Sequence, residues 1–168
     1  MPTFSVSITE IFNCPIESAF KTPMLCDVTL VHTGYGFMPK LSHVTDDETW
    51  GKIGGTKRVY AEKNMNFKGG YVSRDTVLDR KENALWKIQV DDFQSWMLGF
   101  NRFVGEWETL PISEQQTKIN YTYTLYATLP ILYPFQWLFV HLFWKSYMRH
   151  AMENVQKLAY AHTPYMYS

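Results

Sequence analysis

From Phe4 to Thr9 apolar and polar residues alternate strictly, the period of a strand with one buried face. Cys14-Pro15 breaks the pattern. Proline suits the first turn of a helix and Glu17 sits near the positive end, so Pro15 to Lys21 is expected to be a short helix. Thr22 to Leu41 mixes proline, glycine, methionine and aromatics without a period, and reads as a second short helix with a loop or as a flap. From Leu41 to Thr128 strand follows strand, punctuated by Gly54-Gly55, Lys68-Gly69-Gly70 and Asp79-Arg80-Lys81-Glu82-Asn83. Turns this close leave no room for crossover helices, so the strands are expected to pair antiparallel as a meander.

Faces follow from the period of two. Ala84, Trp86, Ile88 and Val90 are expected to point inward from one strand. Asn101, Phe103, Gly105 and Trp107 do so from the next, and Ile119, Tyr121, Tyr123 and Leu125 from the last. A helix of about seven turns is then expected from Pro134 to Tyr160. At about 100° per residue, Trp137, Val140, Trp144, Tyr147, Met148, Ala151, Val155 and Leu158 share one arc, while Lys145, Arg149, Glu153 and Lys157 form an i, i+4 row on another. A sheet with one apolar face needs a cover, and only this helix is long enough. The expectation is an α+β fold, one domain over residues 1–168. A curved antiparallel sheet wraps around a long C-terminal helix, with one or two short helices after the first strand.

Composition narrows the function classes. Sixteen basic residues balance sixteen acidic ones, so there is no net field to attract nucleic acid. Aromatic residues make up 17%, which calls for either a thick core or a ring-lined cavity. Cys14 and Cys26 lack ligand spacing and read as reduced, buried thiols, with a single short-range disulfide as the alternative. The start Met1-Pro2-Thr3-Phe4 has no charged and apolar signal-peptide pattern, so a cytoplasmic location is expected. No Asp, Glu, Lys or Arg occurs from Ile119 to Trp144. A spanning helix is still not expected. The first half of that stretch alternates like a strand, and a helix begun at Pro134 rises only about 16 Å before Lys145.

The order of elements resembles the START and polyketide-cyclase-like (SRPBCC) superfamily. The residues that carry the resemblance are the entry Cys14-Pro15-Ile16-Glu17-Ser18-Ala19-Phe20, the glycine-containing approach Trp50-Gly51-Lys52-Ile53-Gly54-Gly55-Thr56-Lys57-Arg58, Gly105-Glu106-Trp107-Glu108, and the strand Gln116 to Tyr123 that feeds the long helix. The resemblance implies a helix-grip fold with a cavity between sheet and helix. It also implies roles ranging over carriage of lipids and hydrophobic metabolites, ring cyclisation or dehydration, and chaperone co-regulation. It supplies no catalytic motif to carry over.

The expected cavity wall takes Trp86, Ile88, Asn101, Phe103, Trp107, Tyr121 and Tyr123 from the sheet, and Trp137, His141, Trp144, Tyr147 and Met148 from the helix. The first function read from it is binding of a hydrophobic or aromatic small molecule, such as a fatty acid, sterol or polycyclic aromatic. The second is a cyclase- or dehydratase-type enzyme in which Tyr121, Tyr123, His141 or an inward arginine handles protons. A third is a protein-interaction module with a filled core. A volume of about 300 Å³ or more favours the ligand site, and one near zero the third reading. Arg58 and Arg74 could face either way. The five histidines are dispersed without metal-binding spacing, so no metal and no cofactor are expected. Phe135, Leu138, Phe139, Leu142 and Phe143 form an apolar patch that the inward stripe cannot also bury. The Thr22–Leu41 flap, a second copy of the chain through the long helix, or peripheral contact with a membrane surface could cover it.

Overall fold

The computed structural model describes residues 1–168. Its strands are β1 (Thr3–Phe12), β2 (Thr33–Tyr35), β3 (Met38–Thr45), β4 (Thr56–Ala61), β5 (Gly70–Lys81), β6 (Leu85–Asp91), β7 (Phe100–Ser113) and β8 (Gln116–Ala127). They form one sheet in the order β1-β8-β7-β6-β5-β4-β3-β2, every pair antiparallel. β2 to β8 are therefore the expected meander, and β1 returns to lie beside β8. In β1, Phe4, Val6, Ile8 and Phe12 are buried, while Ser5, Ser7 and Thr9 bond across the outer face to Thr124, Thr122 and Asn120. Bulges interrupt the β3–β4, β4–β5, β5–β6 and β7–β8 ladders. Each bends its strand and increases the local twist, which curls the sheet into a half-barrel.

Helix α1 (Ile16–Leu25) lies on the concave side and runs past the expected end at Lys21, with Pro23 inside it. Proline has no N–H, so the Ala19 carbonyl loses its helical donor. The indole of Trp107 takes that carbonyl at 3.0 Å. Trp86 donates to the Phe20 carbonyl and Trp50 to the Met24 carbonyl, both at 2.7 Å. Three indoles thus pin one short helix. Where β1 leads into α1, the fully buried Thr117 hydroxyl donates to the Cys14 carbonyl at 3.0 Å. Thr117→Val keeps the shape but orphans that carbonyl, and is expected to destabilise by about 1–2 kcal/mol. Calorimetry should register a Tm lower by about 2–8 °C, and no change would mean that the bond contributes nothing net.

The undecided Thr22–Leu41 stretch completes α1, makes a 3₁₀ turn at Val28–Leu30 capped by Asp27, and becomes the β2–β3 hairpin. No second α-helix forms there. The hairpin serves as the flap. Phe37 stacks on Phe143 at 4.2 Å and meets Phe139 at 6.2 Å, while Tyr35 meets Phe143 at 5.9 Å.

The long C-terminal helix is not continuous. A 3₁₀ turn at Pro130–Leu132 leads to α2 (Tyr133–Leu138), a π turn follows over Phe139–Trp144, and α3 (Lys145–Tyr160) completes it. Gln136, Val140 and Trp144 are buried four residues apart, and the normal α spacing resumes through Tyr147, Met148, Ala151 and Val155. The wide turn absorbs the extra residue and rotates everything before it relative to an ideal helix. Trp137 is therefore off the inward arc and 45% exposed, a correction to the wheel drawn through the whole segment. Downstream the wheel holds, with Arg149, Glu153 and Lys157 all exposed. No helix is long and apolar enough to cross a membrane.

Candidate functional site

Between the concave sheet and α3 lies a cavity of about 150 Å³. Trp86, Ile88, Phe103, Trp107, Tyr121 and Tyr123 wall it from the sheet, and Trp144, Tyr147, Ala151 and Val155 from the helix. The rings form a connected frame: Trp107 to Tyr121 is 5.0 Å, Tyr121 to Tyr123 is 5.3 Å, Tyr123 to Trp144 is 5.4 Å and Trp144 to Tyr147 is 4.9 Å. The first three pairs meet edge-on, the arrangement that the ring quadrupoles favour. Gly105 makes this possible, because a Cβ there would sit 2.8 Å from the Tyr123 ring.

Four residues expected in the wall are elsewhere. Asn101 is exposed, because the bulge between Phe100 and Arg102 shifts the alternation and turns Phe100 inward instead. Trp137 and His141 stack on each other at 4.5 Å outside the cavity, with His141 Nδ1 2.9 Å from the Trp137 carbonyl oxygen. His141 consequently handles no proton inside. Met148 is fully buried but belongs to the packed core beside the cavity. Ala84 lies in the β5–β6 turn and is exposed, so the inward alternation of β6 starts at Trp86.

The cavity also holds polar groups that the sequence reading passed over. Lys57, Ser73, Asp75 and His32 all line it. Their neighbours Arg58 and Arg74 point outward, to Asp46 at 3.3 Å and Asp91 at 3.1 Å. The signal was present. Val59 and Val77 are inward residues, and the period of two places Lys57, Ser73 and Asp75 on the same face. Lys57 and Asp75 are direct cross-strand partners. Lys57 is only 3% exposed, and its ammonium lies 3.8 Å over the Trp50 ring. It makes no ion pair within 4.0 Å and no hydrogen bond. The Asp75 carboxyl has no hydrogen-bond donor either.

Burial sets the protonation states. It lowers the Lys57 ammonium from its usual range, against the pull of Asp75. It raises Asp75 to about 6, against the pull of Lys57. His32 is pushed down to about 4 by burial and then by the Lys57 charge, so it is neutral near pH 7. Its Nδ1 is 2.7 Å from the Tyr147 hydroxyl. Burial also lifts the Tyr123 phenol to about 12 and raises the Tyr121 and Tyr147 phenols well above their usual range. These hydroxyls are donors and acceptors at neutral pH, not bases. Of the four indoles that line the cavity, Trp50, Trp86 and Trp107 spend their N–H on α1, and Trp144 has no acceptor.

Outside the cavity, Cys14 and Cys26 are free, buried thiols whose pKa values burial raises. No cluster of three or more His, Cys, Asp or Glu side chains could hold a metal ion. The apolar patch is divided. The hairpin covers Phe139 and Phe143 in part, while Phe135, Leu138 and Leu142 are exposed.

No protein-family model matches the sequence, and a search of curated proteins returns no match. Solved structures do match in shape. A protein of unknown function from Staphylococcus aureus superposes with a TM-score of 0.72 at 13% identity, covering 96% of each chain. Norcoclaurine synthase from Thalictrum flavum, in complex with dopamine and hydroxybenzaldehyde, gives 0.67 at 11% identity over 97% of this chain and 90% of that one. The Zhui aromatase/cyclase from a Streptomyces species gives 0.63 at 12% identity over 97% of each. The chain has the helix-grip fold that these structures share. In this helix-grip chain the grip is closed by the π turn, which brings Trp144 to 4.9 Å from Phe103.

Proposed function

We propose that this protein binds a small, ring-bearing hydrophobic molecule in the cavity beneath α3. One observation carries the reading: an aromatic frame lines a cavity of about 150 Å³ into which an ammonium and a carboxyl face without a hydrogen bond or ion pair. A purely structural core gains little from a buried ammonium held only by a ring face beside a carboxyl with no donor. The volume suits a single ring, since a cavity of about 150 Å³ holds benzene. A sterol, a fatty acid or a polycyclic aromatic needs more room. The norcoclaurine synthase of the same fold carries two single-ring compounds, which supports the size argument by analogy.

Titration of toluene or indole into the protein labelled at its indole nitrogens tests this. The Trp86, Trp107 and Trp144 signals are expected to move together, while the exposed Trp96 and Trp137 hold still as internal controls. Indole signals that stay fixed across a panel of single-ring compounds would overturn the binding reading.

The cyclase- or dehydratase-type alternative has one observation in its favour. A carboxyl brought to about 6 inside a cavity is a competent proton acceptor near neutral pH. Asp75, rather than Tyr121, Tyr123 or His141, would be its base, and turnover abolished in Asp75→Asn with binding retained would establish it.

A further inference from the structure

The unpaired charges specify more than apolarity, given that the cavity binds a ring at all. Lys57 extends from β4 and Asp75 from β5 at directly opposed positions on the same inward face. Cross-strand neighbours have Cβ atoms about 5 Å apart. Two opposite charges at that spacing would ordinarily close into an ion pair, yet their charged atoms are more than 4.0 Å apart. Lys57 leans over the Trp50 ring instead. The ammonium therefore has donors to spare and the carboxyl has acceptor lone pairs to spare, with a gap between them. His32, neutral and already bonded to Tyr147, competes for neither.

A ligand with a single anionic head would satisfy Lys57 but would be repelled by Asp75. One with a single cationic head would meet the reverse. A neutral ring bearing both an oxygen acceptor and a hydroxyl donor satisfies both without adding charge to the cavity. We propose that Lys57 and Asp75 form the polar end of the site and select a single-ring hydroxyaryl carbonyl compound, with Lys57 donating to its carbonyl oxygen and Asp75 accepting from its hydroxyl.

Four probes of nearly equal size separate the contributions: 3-hydroxyacetophenone, acetophenone, 3-ethylphenol and ethylbenzene. Affinities come from the indole titration used for the binding reading. The wild-type protein is expected to bind 3-hydroxyacetophenone at least about tenfold more tightly than 3-ethylphenol, because losing the carbonyl leaves a buried ammonium unpaired. Lys57→Met should abolish that preference, bringing the affinities for 3-hydroxyacetophenone and 3-ethylphenol to within about twofold of each other. Asp75→Leu should abolish the preference of 3-hydroxyacetophenone over acetophenone in the same way. Both replacements exchange a desolvated charge for an apolar stem that the site can pack. If Lys57→Met fails to fold, Lys57→Gln, which keeps an N–H donor, should retain part of the carbonyl preference. Four probes of equal affinity would overturn the polar-end proposal and leave the cavity reading intact. Failure of all four to bind would overturn both.

Discussion

Trp86→Ala is expected to destabilise the protein by about 4 kcal/mol and to lower its Tm by about 8–16 °C. The side chain is 1% exposed and stacks on Phe20 at 5.0 Å with the ring planes 15° apart. The Arg80 guanidinium lies beside both rings, 4.6 Å from the Trp86 centroid and 5.9 Å from that of Phe20. Removing the indole therefore leaves a large void beside an existing cavity, strips one face of Phe20, and releases the Phe20 carbonyl from its 2.7 Å bond. The carbonyl matters because α1 already has a gap in its own ladder at Pro23. Trp86→Phe should recover most of the packing but not the bond, giving a loss of about 1–2 kcal/mol. Urea unfolding of the three proteins checks the order. An alanine variant within about 1 kcal/mol of wild type would mean that the neighbours collapse into the void and that the indole is no keystone.

Acid pH should expose a balance hidden in the wild-type cavity. His32 is held at about 4 in the folded state against about 6.5 when unfolded. Its contribution to stability is fully present above about 6.5 and is lost as pH falls through 4, because the unfolded chain takes the proton first. Asp75 behaves oppositely, at about 6 folded against 3.8 unfolded. Its contribution is fully present below 3.8 and is lost as pH rises through 6. Each swing is on the order of 3 kcal/mol, and between pH 4 and 7 they largely cancel. Asp75→Asn removes one side. Relative to wild type the variant should gain on the order of 3 kcal/mol on going from pH 4 to pH 7, with other carboxylates cancelling in the difference. Urea midpoints of both proteins at several pH values measure it. A stability difference that stays constant across that range would place the Asp75 carboxyl in a water-like environment and remove the basis for its role in the cavity.

The elements that could be read from sequence are those whose periods are undisturbed. β1, β8 and the outward row of α3 follow their spacing, and their burial follows with them. Where reading failed, a single inserted residue was the cause. The bulge at the start of β7 put Asn101 outside, and the π turn put Trp137 and His141 outside. Neither insertion has a composition signature, because each is a response to packing rather than to local preference. The cavity's charged pair illustrates a different limit. Lys57 and Asp75 lay on a legible inward face, but burying lysine and aspartate is costly enough that the period alone argues weakly for it. Arg58 and Arg74, one position along, satisfy their charges at the surface.

The π turn makes chain length a constraint in its own right. Upstream of it, Gln136 is wholly buried and its amide bridges the carbonyl oxygens of Leu98 and Leu129 at 3.0 and 3.2 Å. Deleting one residue between Phe139 and Trp144 would only close the turn to ordinary α geometry with α2 in place, whereas adding one would swing α2 by about 100° and push it out by about 1.5 Å. That motion would unplug the glutamine from its two loops and bring a large apolar side chain to the vacated spot. A lost codon there only closes the turn; a gained one would be felt by the β7 entry, the segment before α2 and the whole front of the grip together.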